Sequence, residues 1–389
     1  MQQRPSLRIE RRAAERLAAG HVWVYTSDVD RPDNARPGDT VTVLDPRGVP
    51  IGTAHFSAAS QIALRLFSHQ VEPLDEAFFR SRLQSAIAHR ARAVRDSNAC
   101  RLVFSEADRL PGLIVDRYGD TLVLQTLTQG MDRAQPLIVK LLDELLRPCG
   151  IWERNDATVR TKEQLPFRAG PVLGAPSPAV DVVMNGVTFN ADLAAGQKTG
   201  VYLDQRENYL AAARWAHGEA LDCFTSTGGF ALHMASTCTS VEAVDSSANA
   251  LAAAERNRLR NNMENVRFQE ADIFDLLSAH RVAGRRFQTI VLDPPAFAKT
   301  RSSMDGAARG YKEINLRALQ LLPPGGVLVT CSCSHHMSEE MLLGAVLAAA
   351  RDTRRSLRLL ERRTQASDHP ILPAIPETLY LKCLILEVL

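Results

Sequence analysis

Short apolar runs alternate with helical patterns from about residue 180 to residue 389, and this alternation limits the fold more than any other feature. The runs end at Cys223, Asp245, Phe268, Leu292 and Thr330, and a final run covers 380–388. Strands that alternate with helices predict a parallel sheet with helices on both faces. We therefore expect an α/β fold whose ligands bind at the carboxyl edge of that sheet.

Length and composition limit the number of domains and the class of protein. A chain of 389 residues predicts two or three domains, and 45% hydrophobic with 23% charged residues is typical of a globular protein. The chain lacks an apolar run of about 18 residues, so we expect no membrane span. The polar stretch 1–12 lacks the apolar core of a signal peptide, and seven cysteines form no disulfide-like framework. These features predict a cytoplasmic protein.

The sequence divides into three parts. Residues 1–72 are strand-rich, with strands predicted at 22–25, 39–44 and 62–66 and with turns between them, which suits a small barrel. Residues 73–175 mix helices at 74–94 and 134–146 with strands, and predict an α+β middle domain. Four prolines within 165–178 predict a linker. Residues 176–389 begin with a hairpin at Asn185-Gly186 and continue into the parallel sheet.

Two arginine-rich stretches, 80–101 and 351–363, stand out although the net charge is only +2. A solvated helix face is the usual meaning of such a charge run. The alternative is contact with phosphates of a nucleic acid.

A glycine turn follows the first strand of the sheet and points to the cofactor. It contains Asp222, Phe224, Thr227, Gly228 and Gly229. Glycine allows a ligand to approach the backbone, but the turn has neither the G-x-G-x-x-G of a dinucleotide fold nor the lysine of a P-loop.

Acids also end the next two strands. Asp245, followed by Ser246, lies about 20 residues after the turn, where an acid binds ribose hydroxyls, and Asp272 is placed for an adenine amino group. A cationic nucleoside, S-adenosylmethionine, fits the turn and both acids. The alternative is that each acid only caps the following helix.

Asp293 and Cys333 each follow a buried strand. If the two strands are neighbours, a carboxylate and a thiol meet at one edge, which suggests covalent chemistry on a planar substrate such as a nucleobase. Free cysteines are also common core residues, and we expect this of Cys331. A zinc site with His335 and His336 is disfavoured because the ligand spacing is too compressed, so we expect no metal. Asp-Pro-Pro acting alone on an exocyclic amine is a further alternative, although Ala296 occupies the aromatic position of that motif.

The chain resembles the class I methyltransferases of the RlmI type. The motifs that carry the resemblance are 110–120, 196–206, 224–230, Asp293-Pro294-Pro295-Ala296-Phe297 and Ser332-Cys333-Ser334. Those enzymes combine a PUA domain, a middle domain and a Rossmann-like catalytic domain, and they form 5-methylcytosine in 23S ribosomal RNA. Ser226 departs from their usual tyrosine, and the residues around Cys333 are also unusual.

The resemblance implies a role for each site residue. Cys333 is the nucleophile that adds to carbon 6 of a flipped cytosine, and Asp293 holds the base and borders the cofactor. Further substrate contacts are expected from Pro294, Pro295, Phe297, Lys198 and Tyr202. The expected partner is 23S ribosomal RNA, and a homodimer is left open. The competing functions are an exocyclic-amine methyltransferase and an inactive RNA-binding scaffold.

Overall fold

A computed structural model of the chain describes residues 4–30, 34–194, 196, 200–297 and 304–389. It contains two compact units. One comprises Met1–Val182, Ala191–Val201 and Ser367–Thr378, and the other comprises Val183–Asn190, Tyr202–Ala366 and Leu379–Leu389. No helix in the described ranges is long and apolar enough to cross a membrane.

The first unit begins with a five-stranded sheet. Its elements are Ser6–Arg8 (β1), Arg11–Ala18 (α1), Trp23–Tyr25 (β2), Thr40–Leu44 (β3), Pro50–Phe56 (β4) and Ile62–Ser68 (β5). The strand order is β1-β3-β4-β5-β2. Leu7, Val41 and Leu64 are among the buried apolar side chains of its core. The strands predicted at 22–25, 39–44 and 62–66 are confirmed.

A second five-stranded sheet, of order β10-β9-β8-β7-β6, follows in the same unit. Its elements are Glu76–Ala93 (α2), Ala99–Phe104 (β6), Leu113–Tyr118 (β7), Thr121–Thr126 (β8), Gln129–Leu146 (α3), Gly150–Asn155 (β9), Val159–Lys162 (α4) and Arg168–Gly174 (β10). Helix α3 begins five residues before the predicted start, because the side chain of Thr128 caps it by accepting from the backbone N–H of Met131.

The prediction of a linker over 165–178 was wrong, because this stretch contains β10. The strand lies at the edge of its sheet, where Pro171 is tolerated since an edge strand need not donate every backbone hydrogen bond. The proline and glycine content that indicated a linker is therefore also compatible with an edge strand.

The arginine-rich stretches are not simple helix faces either. Arg90 is buried and donates to the carbonyl oxygens of Arg101 and Asp368 and to the carboxylate of Asp108. The second stretch includes a strand, Leu357–Arg363 (β18). This strand was not predicted, because its sequence has adjacent leucines at 359–360 and three charged residues at 361–363 and so breaks the apolar–polar alternation of a strand.

The second unit contains the large sheet. Ala179–Met184 (β11) and Val187–Asp192 (β12) form a two-stranded hairpin, of which Val183–Asn190 belongs to this unit, with Asn185 and Gly186 in left-handed conformations at φ 52° and 82°. The remaining elements are Arg206–Trp215 (α5), Glu219–Cys223 (β13), Gly229–Met234 (α6), Ser240–Asp245 (β14), Ala248–Arg260 (α7), Val266–Glu270 (β15), Ile273–Val282 (α8), Thr289–Leu292 (β16), Met304–Leu321 (α9), Val327–Ser332 (β17), Glu339–Asp352 (α10) and Lys382–Val388 (β19).

The strand order of this sheet is β15-β14-β13-β16-β17-β19-β18. The first five strands are parallel, and β19 runs antiparallel to both of its neighbours. Every residue of β16 and β17 is buried, as expected for strands covered by helices on both faces. The predicted α/β alternation is confirmed. The order reverses at β13, and ligands of such sheets bind beyond the carboxyl ends at this point.

We predict that Leu328→Ala in the middle of β17 will destabilise the second unit by about 2–5 kcal/mol, because it removes a fully buried side chain and leaves a cavity. Urea unfolding followed by circular dichroism measures this change. The control is Leu259→Ala on α7, where the side chain is 59% exposed and the expected change is within about 0.5 kcal/mol. Equal effects of the two substitutions would contradict the assignment of β17 to the core.

Candidate active site

The glycine turn connects β13 to α6 at the carboxyl edge of the sheet. Phe224, Ser226 and Gly228 have left-handed backbones with φ of 66°, 50° and 90°. Gly228 needs glycine for this conformation. Gly229 needs it for space, since a Cβ there would lie 2.3 Å from the ring of Tyr209. One of the two glycines therefore serves packing beneath the turn.

Other turn residues are held from outside. The backbone carbonyl of Thr227 accepts from Asn257 Nδ2 at 3.0 Å, and the ring of Phe224 packs against the apolar core below the sheet edge. The turn is thus fixed by its neighbours, with backbone amides at the edge where the sequence predicted a cofactor.

Asp222 lies directly beneath the turn and is fully buried. Its Oδ2 accepts from the hydroxyl of Thr225 at 2.6 Å and from the backbone N–H of Ala231 at 2.9 Å. Among the described residues, no hydrogen-bond donor reaches Oδ1. Burial raises the pKa of Asp222 to about 7; the two hydrogen bonds oppose this shift, and the charges of Asp293 and Asp245 add to it. A buried carboxylate with a free acceptor oxygen suits a cationic ligand.

Asp245 ends β14 and binds the turn from its other side. Its Oδ2 accepts from the backbone N–H of Ser226 at 2.9 Å, and its Oδ1 accepts from that of Ser247 at 2.9 Å. Each carboxylate oxygen has further acceptor capacity, so Asp245 can also accept from ribose hydroxyls. Ser246 beside it is exposed. Asp245 thus holds the turn in place and keeps acceptors at the edge.

Asp272 has a clear structural role. Its Oδ1 accepts from the backbone N–H of Asp275 at 3.1 Å and caps α8, and the residue is exposed. The capping alternative therefore accounts for this acid, while its adenine contact stays a prediction.

Asp293 follows β16 and is partly buried. Its backbone N–H donates to the carbonyl of Cys223 at 3.4 Å, and its Oδ2 accepts from Gln205 Nε2 at 3.0 Å. Gln205 is itself buried, and its Oε1 accepts from Asn208 Nδ2 at 2.7 Å. The sequence analysis did not single out Gln205, since a glutamine before a helix carries no chemical signal of its own. This amide fixes the direction of the Asp293 carboxylate.

Cys333 is the residue directly after β17 and is half-buried. The hydroxyl of Ser332 accepts from Tyr311 at 2.8 Å and from the backbone N–H of Ser334 at 3.4 Å, which shapes the bend around Cys333. Cys331 is fully buried, and its register partner is Cys383 on β19. Burial raises the pKa of the Cys331 thiol well above its usual range. The expectation that Cys331 is a packing residue is confirmed.

The pairing of β16 with β17 brings the acid and the thiol to one edge, because Leu292 and Thr330 are register partners. The acid and the thiol both affect the pKa of Tyr202. Burial, followed by the charges of Asp293, Asp204 and Cys333, raises the pKa of Tyr202 to about 12. The three side chains therefore share one electrostatic environment.

The remaining predicted substrate contacts differ in exposure. Pro294 is buried and Pro295 is exposed. The ring of Phe297 is partly buried and packs against Tyr311, with 4.8 Å between ring centroids. Lys198 lies outside the described residues. Within the described ranges, no group of three His, Cys, Asp or Glu side chains could hold a metal ion.

The chain is similar to known families and proteins in sequence and in fold. Residues 161–387 match the family of S-adenosylmethionine-dependent methyltransferases, and residues 7–69 match the PUA-like domain family. Ribosomal RNA large subunit methyltransferase I from Klebsiella pneumoniae is 39% identical over 387 residues and that from Shewanella denitrificans is 41% identical over 383, with 97% and 96% of each chain covered. The fold is similar to that of SMU.776, whose crystal structure is of a complex with SAH, at a TM-score of 0.85 and 20% identity over 99% of this chain and 100% of that chain.

S-adenosylmethionine fits the residues at the sheet edge. The free oxygen of Asp222 can compensate a positive charge, Asp245 offers acceptors for ribose, and Gly228 leaves the turn without a side chain. The family match and the donor and acceptor set therefore agree on the cofactor.

We predict that Asp245→Ala weakens S-adenosylmethionine binding about tenfold or more, because acceptors for ribose and the anchor of the turn are lost together. Isothermal calorimetry measures the affinity. Asp275→Ala, an exposed acid on α8, is the matched charge control and should leave it unchanged. Asp272→Ala tests the remaining acid, since a cap alone would lower stability without changing affinity. Unchanged affinity in Asp245→Ala would remove the ribose assignment.

We predict a pH-dependent gain in stability for Asp222→Asn. The folded-state pKa of about 7 lies above the ordinary value of 3.8, so the folded state holds its proton more tightly than the unfolded chain. Wild-type stability therefore falls as pH rises between about 4 and 7, and the loss is complete above 7. The asparagine does not titrate, so its stability relative to wild type should rise across this window and then level off. Urea unfolding from pH 4 to 8 measures the difference, and a constant difference would contradict the buried carboxylate.

Proposed function

The chain belongs to the ribosomal RNA large subunit methyltransferase I family of S-adenosylmethionine-dependent methyltransferases, and from this premise we propose that it methylates carbon 5 of a cytosine in 23S ribosomal RNA through a covalent adduct with Cys333. The observation that carries the proposal is the position of Asp293 and Cys333 after neighbouring strands β16 and β17, beside the turn after β13.

Two observations support the substrate class. Relatives at about 40% identity over nearly the full length carry a ribosomal RNA large subunit name. The PUA-like match over residues 7–69 adds a domain of a type that binds RNA. Together these favour RNA of the large subunit over a protein or small-molecule acceptor.

A thiol is needed because carbon 5 of cytosine is a poor nucleophile. The thiolate of Cys333 bonds to carbon 6, and the electron pair of the 5,6 double bond moves to carbon 5. S-adenosylmethionine, when bound, supplies the methyl group that carbon 5 takes up as the sulfur–methyl bond breaks. Loss of the carbon 5 proton to a base returns the electron pair to the 5,6 double bond and expels the Cys333 thiolate. The enzyme is thereby regenerated.

Asp293 would hold the base during this sequence. Its Oδ2 is already oriented by Gln205, and the carboxylate would accept hydrogen bonds from the cytosine N4 amino group and from N3 once N3 is protonated. A proton shared with N3 would offset the negative charge that develops on the ring when sulfur adds. The base must leave its stack to reach this edge.

Methylation of an exocyclic amine is the competing function, since Asp-Pro-Pro also occurs in enzymes of that kind. There an aromatic side chain directly after the prolines stacks on the base, whereas this chain has Ala296 at that position. Phe297, one residue later, packs on Tyr311. That packing favours the cysteine-dependent reaction over the amine reaction. An inactive scaffold is disfavoured by the intact acids Asp222 and Asp245.

We predict that Cys333→Ala abolishes methyl transfer and leaves S-adenosylmethionine affinity nearly unchanged, because the thiol bonds to the substrate and not to the cofactor. Transfer of labelled methyl to 23S ribosomal RNA and calorimetry measure the two properties. Cys149→Ala, which removes an exposed thiol, is the matched control and should retain full activity. Full activity in Cys333→Ala would contradict the covalent mechanism.

The methylated atom separates the two enzyme functions directly. Mass spectrometry of nucleosides from digested product RNA should find 5-methylcytidine. An N4-methylcytidine or N6-methyladenosine product would replace the proposal with the amine reaction. Absence of cofactor binding would support the scaffold.

A further inference from the structure

Lys382, the first residue of β19, is a buried lysine. Its relative exposure is 5%, whereas lysine side chains are almost never fully buried unless they are paired. Its ammonium donates to the carbonyl oxygen of Ser334 at 2.8 Å and to that of Tyr380 at 3.1 Å. An ammonium has three N–H donors, so one donor is left after these two described bonds. Burial of an ammonium is energetically unfavourable unless other groups compensate its charge.

The lysine lies across the bend that carries Cys333. Lys382 and Ser332 are register partners in the antiparallel pairing of β17 with β19. The Lys382 side chain then donates to the carbonyl of Ser334. Lys382 therefore contacts both neighbours of Cys333: its backbone is in register with Ser332, and its ammonium is bonded to Ser334. Cys333 is thus the residue enclosed between the two points at which β19 holds the bend.

The groups around the thiol are mostly acidic or neutral. Asp293 lies at the same sheet edge. A negative charge on Cys333 raises the pKa values of three neighbouring groups, Tyr202, Tyr311 and Lys382. Cys331 on β17 and Cys383 on β19 are buried free cysteines, and the ring of His335 packs at a tilt against that of Tyr380, with 5.7 Å between ring centroids. The carboxylate of Asp293 opposes ionisation of a nearby thiol, so the site needs a positive charge to offset it.

The interaction between the charges of Lys382 and Cys333 favours the thiolate form of Cys333. Burial lowers the pKa of Lys382, and a charged Cys333 raises it. By reciprocity, the ammonium favours the thiolate of Cys333. A cation beside a cysteine lowers the pKa of the thiol and increases the fraction of reactive thiolate.

We propose that Lys382 is a positioning residue that fixes the bend around Cys333 and stabilises the Cys333 thiolate with its buried ammonium. The thiol proton leaves to water at the half-exposed sulfur, and the ammonium keeps its own protons. The importance of Lys382 for catalysis rests on the proposed covalent function, but its effect on the thiol does not require methyl transfer.

Alkylation of Cys333 by iodoacetamide tests the proposal. The rate is measured from pH 5 to 10 on the full-length protein, with the modified peptide identified by mass spectrometry so that the other six cysteines do not interfere. In wild type we expect the midpoint of the pH profile below the value of about 8.5 for a free cysteine. A wild-type midpoint at or above this value would overturn the proposal without any variant.

The variants separate charge from packing. Lys382→Met should raise the midpoint by about one pH unit or more and slow alkylation near pH 7 about tenfold, whereas Lys382→Arg keeps the charge and should restore most of the shift. Lys312→Met is the matched control, since Lys312 pairs with Asp352 on the protein surface and should leave the midpoint unchanged. An unchanged midpoint in a folded Lys382→Met protein would overturn the proposal. If that variant does not fold, the wild-type midpoint decides.

The outcomes also distinguish this inference from the proposed function. A shifted midpoint together with full activity of Cys333→Ala would retain the lysine effect and reject the covalent mechanism. An unshifted midpoint together with an inactive Cys333→Ala would do the reverse. If both hold, Lys382→Met should lower kcat near neutral pH and leave cofactor affinity unchanged.

Discussion

The parallel pairing of β13, β16 and β17 is the constraint on which the site depends. Cys223 pairs with Leu292, and Leu292 pairs with Thr330, so the carboxyl ends of the three strands lie at one edge of the sheet, with β17 extending two residues further than the other two. Residues far apart in the chain, Asp222, Asp293 and Cys333, are thereby brought to one edge. The ladder is buried on both faces and cannot slip without moving apolar side chains out of the core. Rigid strands therefore position the reactive groups.

Several acidic groups lie together at this edge of the sheet. Asp222 is buried with one oxygen free of described partners, Asp245 and Asp293 lie nearby, and a thiolate at Cys333 would add a further negative charge. Such a cluster is costly without compensation. A cationic methyl donor would compensate the acids beside the glycine turn, and Lys382 would compensate the thiolate. The negative charges of this edge would thus favour a cationic cofactor, and in our proposal the Lys382 ammonium offsets their effect on the Cys333 thiol.

Local patterns predicted most elements and the chemistry-bearing residues. Alternation of apolar runs and helices predicted the parallel sheet, and the polar residues at the ends of these runs made Asp222, Asp293 and Cys333 candidate site residues. Edge strands were harder, because β10 contains proline and glycine and β18 contains arginines, and neither shows the apolar run of a buried strand. The capping role of Asp272 was among the stated alternatives, since a cap and a ligand contact share one sequence signal.

The sequence by itself determined the α/β class and the cofactor class and predicted the pair Asp293 and Cys333, because periodicity and residue type are local properties that strand order does not alter. Tertiary structure alone decided which polar neighbours serve that pair. Gln205 orients Asp293, and Lys382 lies against the bend at Cys333 from a strand about 50 residues later in the chain. These contacts depend on strand order and register, which arise from packing of the whole sheet and leave no mark at either residue.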